Sequence, residues 1–315
     1  MAGERYHGIL LLHKPVGMSS HDAIYAVRRA IDQKGGGHTG TLDPLAEGLL
    51  VICLGRATKV SRYLNDMDKT YEAVIRLGLS SRTYDAEGVD DAAVPADVSG
   101  IDTGLLRATL DTFVGTVQQT VPPFSAVKID GRPLYKEARK GRAVAELPVR
   151  TVIIDGLDLL AWEPPDLSIV MRCSKGTYVR SLADELGQRL GCGAYLSALK
   201  RTRVGVFSLD ESLTLNDINQ LHSNRELEKH LLPLERVLPF AAIEISDELA
   251  GRVVQGPPVR YGDVVRFDGR FAAGETVVLK DRAGTCLAVG RAQVDSDACD
   301  GPADAELFRY DRVLN

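Results

Sequence analysis

Residues 35–50 read GGGHTGTLDPLAEGLL and set one carboxylate, Asp43, between a glycine run and a proline. Two readings of that carboxylate compete. Aspartate is a favoured helix N-cap, because its side chain accepts from unpaired backbone N–H groups of the first turn. Proline suits the first helical position, where its missing N–H costs nothing. On this segment alone, a helix beginning at Pro44 is the simpler expectation. The alternative makes Asp43 a chemical reagent, and that has to be supported from elsewhere in the chain.

Gly35, Gly37 and Gly40 literally match the dinucleotide-binding pattern G-x-G-x-x-G. That pattern needs a strand before the glycines and a helix opening on the last of them. Here the preceding segment is helical instead. Ile24, Val27 and Ile31 recur at helical spacing, and Ser19 or Ser20 serves as the cap of a helix running to about Asp32. The context fails, so the glycines are expected to shape a loop that holds His38 and Asp43.

Working outward, residues 9–12 and 48–55 read as buried strands. Residues 70–79, TYEAVIRLGL, alternate so that Tyr71, Ala73, Ile75 and Leu77 share one apolar face. On pattern alone Tyr71 is a core tyrosine. Residues 86–104 form an acidic surface excursion, followed by a helix near 105–113 and an extended stretch ending at two prolines, Pro122 and Pro123. Residues 164–191 read as strand, tight SKGT turn and helix, with Val179, Leu182, Ala183, Leu186 and Leu190 as its apolar stripe. Arg180 lies off that stripe in the first turn, where a cation faces the helix dipole unfavourably. A buried carboxylate partner would make sense of it. Beyond residue 240, short valine-rich runs broken by glycine predict a small β module.

Composition sets the frame. A chain of 315 residues predicts two domains. The five cysteines are odd in number and scattered, with no C-x-x-C and no histidine at ligand spacing, so neither zinc nor a disulfide framework is expected. A reduced, cytoplasmic protein follows. The N-terminal run GILLL is too short and too closely flanked by charge for a signal peptide, and no apolar run reaches membrane-spanning length. The net charge is −5, but residues 243–315 carry 9 Lys/Arg against 13 Asp/Glu and account for most of it. Within the near-neutral remainder, residues 128–142 hold Lys128, Arg132, Lys136, Arg139, Lys140 and Arg142 against only Asp130 and Glu137. Such a stripe is usually a solvated face. It is also compatible with a phosphate backbone.

At this point the motifs resemble a known family. GHTGTLDPLAEGLLVICLGRATK resembles the signature of the TruB family of pseudouridine synthases. LLHKPVGMSSHDA, KTYEAVIRLGLSSRTYDAEG, VPPFSAVKIDGRPLYKEARKG and CSKGTYVRSLADELGQRLGCGAYLSALKRTRVGVF resemble its other blocks, in family order over roughly residues 8–208. The resemblance implies an α+β pseudouridine synthase fold, a mixed and largely antiparallel sheet with flanking helices, over residues 1–240. It implies a small PUA-like RNA-binding domain over residues 241–315. Asp43 falls on the catalytic aspartate, Tyr71 on the tyrosine that packs on the target base and transfers a proton, and Arg180 on the arginine paired with the carboxylate. His38 falls on the histidine at the RNA backbone, and Tyr178 and Leu199 on positions lining the uridine pocket. Lys128, Arg132 and Lys136 are candidate RNA contacts. Lys14 and Pro15 match the first motif, with a structural role.

Three positions depart from the family pattern: Glu47 for Thr or Ser, Gly36 for a bulkier apolar residue, and Phe124 for Tyr. The implied activity is conversion of uridine 55 in the TΨC loop of tRNA to pseudouridine, with no cofactor and no metal. The implied partner is tRNA, with no membrane and no obligate protein partner, and a monomer is expected. Three other readings compete with this one. A guide-RNA-dependent branch of the family would carry a longer basic tail. A non-catalytic RNA-folding protein would not need Asp43, Tyr71 and Arg180. A nucleotide-binding enzyme fails on the context of its glycines.

Overall fold

A computed structural model of the chain describes residues 5–125, 127–129, 131–139, 147–297 and 305–314. The elements run β1 (Gly8–Lys14), α1 (Ser20–Ala30), β2 (Gly36–Thr39), β3 (Ala46–Leu54), α2 (Ser61–Asn65), β4 (Lys69–Leu77), α3 (Thr103–Asp111) and β5 (Gly115–Thr120). They continue with β6 (Lys128–Ile129), β7 (Arg132–Pro133), α4 (Leu134–Arg139), β8 (Val149–Glu163), β9 (Asp166–Cys173), α5 (Val179–Leu190), β10 (Ala194–Val204), β11 (Phe207–Ser208), α6 (Leu215–Ser223) and α7 (Leu234–Val237). The C-terminal part adds β12 (Ala242–Ile245), α8 (Asp247–Ala250), β13 (Val259–Arg260), β14 (Val264–Asp268), β15 (Thr276–Lys280), β16 (Cys286–Ala292) and β17 (Glu306–Val313).

Among the described residues the main sheet has the order β1-β3-β10-β4-β9-β8-β5, with β2 on β3 and β11 on β10. Its one parallel pairing is β3 with β10, so it is mixed and largely antiparallel. The run LLVICL explains why β3 is central. Leu49, Val51 and Cys53 enter one apolar cluster, while Leu50, Ile52 and Leu54 enter another on the opposite face with α1 and α6. A strand buried on both faces reads as a continuous apolar run. β4 behaves as its alternation predicts, with Tyr71, Ala73, Ile75 and Leu77 packed against Leu182 and Leu186 of α5 and Leu106 and Leu110 of α3.

Two local expectations are overturned. No helix begins at Pro44. Pro44 and Leu45 form a tight turn, closed by the Ala46 amide donating to the Asp43 carbonyl at 3.1 Å, and β3 follows at once. Burial of the whole LLVICL run in the sheet outweighs the local cap preference. Gly48 also has φ +108°, which no helix accommodates. The second correction concerns the glycine run: Gly36–Thr39 is a strand paired with β3 rather than a loop, and it places His38 opposite Ile52. A Cβ at Gly36 would meet Leu54 at 3.3 Å and Arg28 of α1 at 3.5 Å, so this glycine lets the strand close against α1.

The C-terminal strands form a sheet of order β13-β17-β16-β15-β12-β14. It docks on the main sheet through a shared cluster in which Val278, Cys286, Val289 and Leu314 pack with Ile9, Leu11, Val237 and Leu238. The Cys286 amide donates to Glu235 Oε1 at 2.8 Å across the same contact. Cys299, Asp130, Lys140 and Arg142 lie outside the described residues.

Candidate active site

Asp43 sits at the tip of a loop gripped from below by the first motif. The Ser20 hydroxyl, 1% exposed, accepts from the Leu42 amide at 2.8 Å and donates to the Leu42 carbonyl at 2.9 Å. The Gly17 amide donates to the Pro44 carbonyl at 2.8 Å. Lys14 is fully buried, and its Nζ donates to the carbonyls of Pro15 and Met18 at 2.8 and 2.6 Å, which shapes the KPVGM turn. Pro15 contributes one of those two acceptors. With Leu42 buried in the core, the next side chain is thrown outward, and Asp43 is left 36% exposed in a cleft of about 870 Å³.

Arg180, in the first turn of α5, is 5% exposed. Its Nε and Nη2 both lie 2.8 Å from Asp43 Oδ2. Its remaining donors reach the carbonyls of Thr83 (3.1 Å) and Phe124 (3.1 Å), and its Nη1 stands 3.8 Å from Asp85 Oδ2. The cation that looked misplaced on the helix dipole is thus held between two carboxylates. Charge-assisted bonds of this kind fix geometry as well as energy. Phe124 contributes its backbone carbonyl here.

Tyr71, 8% exposed, lines the same cleft, as do His38, Tyr178 and Leu199. Burial raises the Tyr71 phenol above its ordinary value, while the adjacent Arg201 guanidinium pulls it back. Burial lowers His38, helped by the charges of Arg201 and His21, and leaves its Nδ1 without a hydrogen-bond partner. A neutral imidazole carries one donor and one acceptor nitrogen, so His38 on the cleft wall can donate to or accept from a ligand. Tyr178 is the N-cap residue of α5, and its peptide is clamped by the buried Gln119 amide, which accepts from its N–H at 2.7 Å and donates to its carbonyl at 3.0 Å.

Lys128, Arg132 and Lys136 are exposed on the β6–β7 hairpin and α4, and they do not line the cleft. Glu47 lies on β3 with its carboxylate 3.8 Å from His13 Nε2, away from the Arg180 pair. Sequence reasoning missed Asp85, Gln119, Lys69 and Arg201. Asp85 stood inside the quoted SSRTYDAEG block, so its signal was present. Arg201 also stands inside a motif block, in SALKRTRVGVF, but nothing in that run marks it as buried.

Three family models match the chain: TruB family pseudouridylate synthase (N terminal domain) at residues 28–179, tRNA pseudouridylate synthase B C-terminal domain at 180–239, and PUA domain at 241–300. A protein of Pseudomonas aeruginosa (strain UCBPP-PA14) named tRNA pseudouridine synthase B is 41% identical over 91% of this chain and 92% of its own. One of the same name from Burkholderia mallei (strain NCTC 10247) is 44% identical over 93% of this chain and 95% of its own. A chain in the crystal structure of an archaeal box H/ACA sRNP is 23% identical with a TM-score of 0.74, covering 98% of this chain and 86% of that one, a likeness of fold. The sheet, the clamped aspartate loop and matches of this length agree, and the chain belongs to the TruB family of pseudouridine synthases.

Proposed function

We propose that the protein isomerises uridine to pseudouridine at position 55 in the TΨC loop of tRNA, with Asp43 as the nucleophile. The observation that supports this best is a half-exposed carboxylate held by a buried guanidinium in a cleft walled by Tyr71, Tyr178 and Leu199. Relatives that span most of the chain carry the name tRNA pseudouridine synthase B, which supports tRNA as the substrate. The stacked uridine is flipped into the cleft at a cost of a few kcal/mol. His38 at the rim holds the displaced backbone, and the aromatic walls receive the base. Attack by Asp43 forms a transient covalent adduct that divides the exchange into smaller steps. The uracil turns and re-bonds through C5, and Tyr71 takes part in removing the C5 proton. Residues 1–240 form the catalytic domain. Residues 241–315 form a PUA-like domain that adds RNA contacts, and the enzyme works as a cytoplasmic monomer.

Unmodified tRNA transcript incubated with the protein alone and mapped by carbodiimide adducts and primer extension tests the assignment. A stop at position 55 is expected. Modification only elsewhere, or only after a guide RNA is added, would overturn it.

A further inference from the structure

Arg201 on β10 is 1% exposed and heads the fully buried side chains in size. Its Nε donates to the Leu49 carbonyl at 2.8 Å and its Nη2 to the Gly40 carbonyl at 2.9 Å. Arg180 is matched by two carboxylates, whereas Arg201 has no ion-pair partner among the described residues. A buried charge without a counter-ion is costly, so it persists where something else uses it.

The strand register identifies the user. β10 and β4 place Arg201 directly opposite Tyr71, so their side chains share a face, and both line the cleft. The guanidinium also acts on the Tyr71 phenol, pulling it down against the burial that raises it. Guanidinium has donors and no acceptor, so in any bond between the two the phenolic oxygen accepts. We infer that Arg201 is a positioning residue for Tyr71: it fixes the phenolic oxygen as an acceptor and stabilises the phenolate that receives the uracil C5 proton. The inference rests on the proton-transfer reading of Tyr71 given above. In that step the C5–H bond breaks, its electron pair restores the C5=C6 bond, and the proton passes to the phenolate oxygen. The C6=N1 pair moves onto N1, which takes up the proton given up when the phenol became phenolate, so the isomerisation balances without a co-reactant.

Other charged groups face the pair. Cys173 on β9 and Asp43 on its loop raise the Tyr71 phenol further, in addition to burial, and Arg201 opposes all three. Lys14, His38 and Lys69 feel the same guanidinium from β1, β2 and β4.

The test is the pH profile of single-turnover tritium release from tRNA labelled at uracil C5. Arg201→Gln is expected to lower the rate ~100-fold at neutral pH. It should also move the rising limb upward by ~1–3 pH units, the effect of removing a cation beside the group. Arg201→Lys keeps the charge without the fork, and it carries the test through a smaller shift where the glutamine variant does not fold. Placing 3,5-difluorotyrosine at position 71 acidifies the phenol and should restore the Arg201→Gln rate by at least ~10-fold. Loss of the Leu49 and Gly40 carbonyl contacts alone would lower the rate equally at every pH. An unshifted limb, with no gain from the acidified phenol, overturns the inference. Normal turnover by Tyr71→Phe would instead overturn the proton-transfer reading itself. An inactive Tyr71→Phe beside an unshifted Arg201→Gln sinks only the role of Arg201.

Discussion

Replacing Arg180 by methionine separates the two carboxylates that share it. Methionine keeps the aliphatic packing and removes the charge. Asp85, 7% exposed, then loses its cation, and the carbonyls of Thr83 and Phe124 lose their donors. Breaking a buried pair from one side costs ~3–5 kcal/mol, because the other charge stays buried. Asp43 is 36% exposed, so water screens its loss and its share is below ~1 kcal/mol. A protein with ~5–15 kcal/mol of stability still folds with this change. Adding Asp85→Asn removes the stranded buried charge and should return ~2 kcal/mol or more, whereas adding Asp43→Asn should return almost nothing. Turnover should fall ~100-fold or more in Arg180→Met, because an oriented charge is lost at the reacting group, and Asp85→Asn should not rescue it. Urea unfolding of the single and double variants, with tritium release on each, makes the measurement. Equal rescue of stability by Asp43→Asn and Asp85→Asn would refute the division of labour.

Further expectations concern the lysines, Gly48 and the basic stripe. Burial holds Lys14 and Lys69 down at about 8, against 10.5 for an ordinary lysine. The unfolded chain therefore binds more protons than the folded one between pH ~8 and ~10, and the contribution of these sites to stability rises across that window. The difference in urea midpoint between wild type and Lys69→Met should change with pH there, and a flat difference contradicts the assignment. Gly48→Ala would drive a methyl group into the Arg201 backbone at φ +108°, with ~1–3 kcal/mol of backbone strain in addition. A melting temperature lowered by more than ~5 °C is expected, and an unchanged one would contradict the β3–β10 contact. Replacing Lys128, Arg132 and Lys136 together by alanine should weaken tRNA binding and reduce the slope of log affinity against log salt by up to ~3, with turnover at saturating tRNA preserved. An unchanged slope would make the stripe a solvated face.

Much of the fold was legible because its elements bury apolar faces at clear periods. LLVICL, the alternation from Tyr71 to Leu77, and the stripe of α5 all form as their spacing predicts. The site was legible at Asp43 and Arg180 for different reasons. One stood in a distinctive motif, and the other violated the charge preference of a helix start, a violation that the ion pair resolves. The expected helix at Pro44 failed because cap preference is a local term of about 1 kcal/mol, and burial of β3 on both faces outweighs it. Arg201 was invisible for a related reason. In SALKRTRVGV a buried guanidinium reads like its exposed neighbour Arg203, and only the pairing with β4 and the carbonyls of Leu49 and Gly40 tells them apart. Asp85 stands immediately before the acidic run that reads as surface, yet it turns inward to meet Arg180.

The central claim is that Asp43 carries out the glycosidic exchange. Its most direct test is tritium release from unmodified tRNA labelled at uracil C5, comparing wild type with Asp43→Asn at equal tRNA occupancy. Wild type should release tritium and Asp43→Asn none above background, with both proteins folded and binding tRNA alike. Equal release by the two would contradict it.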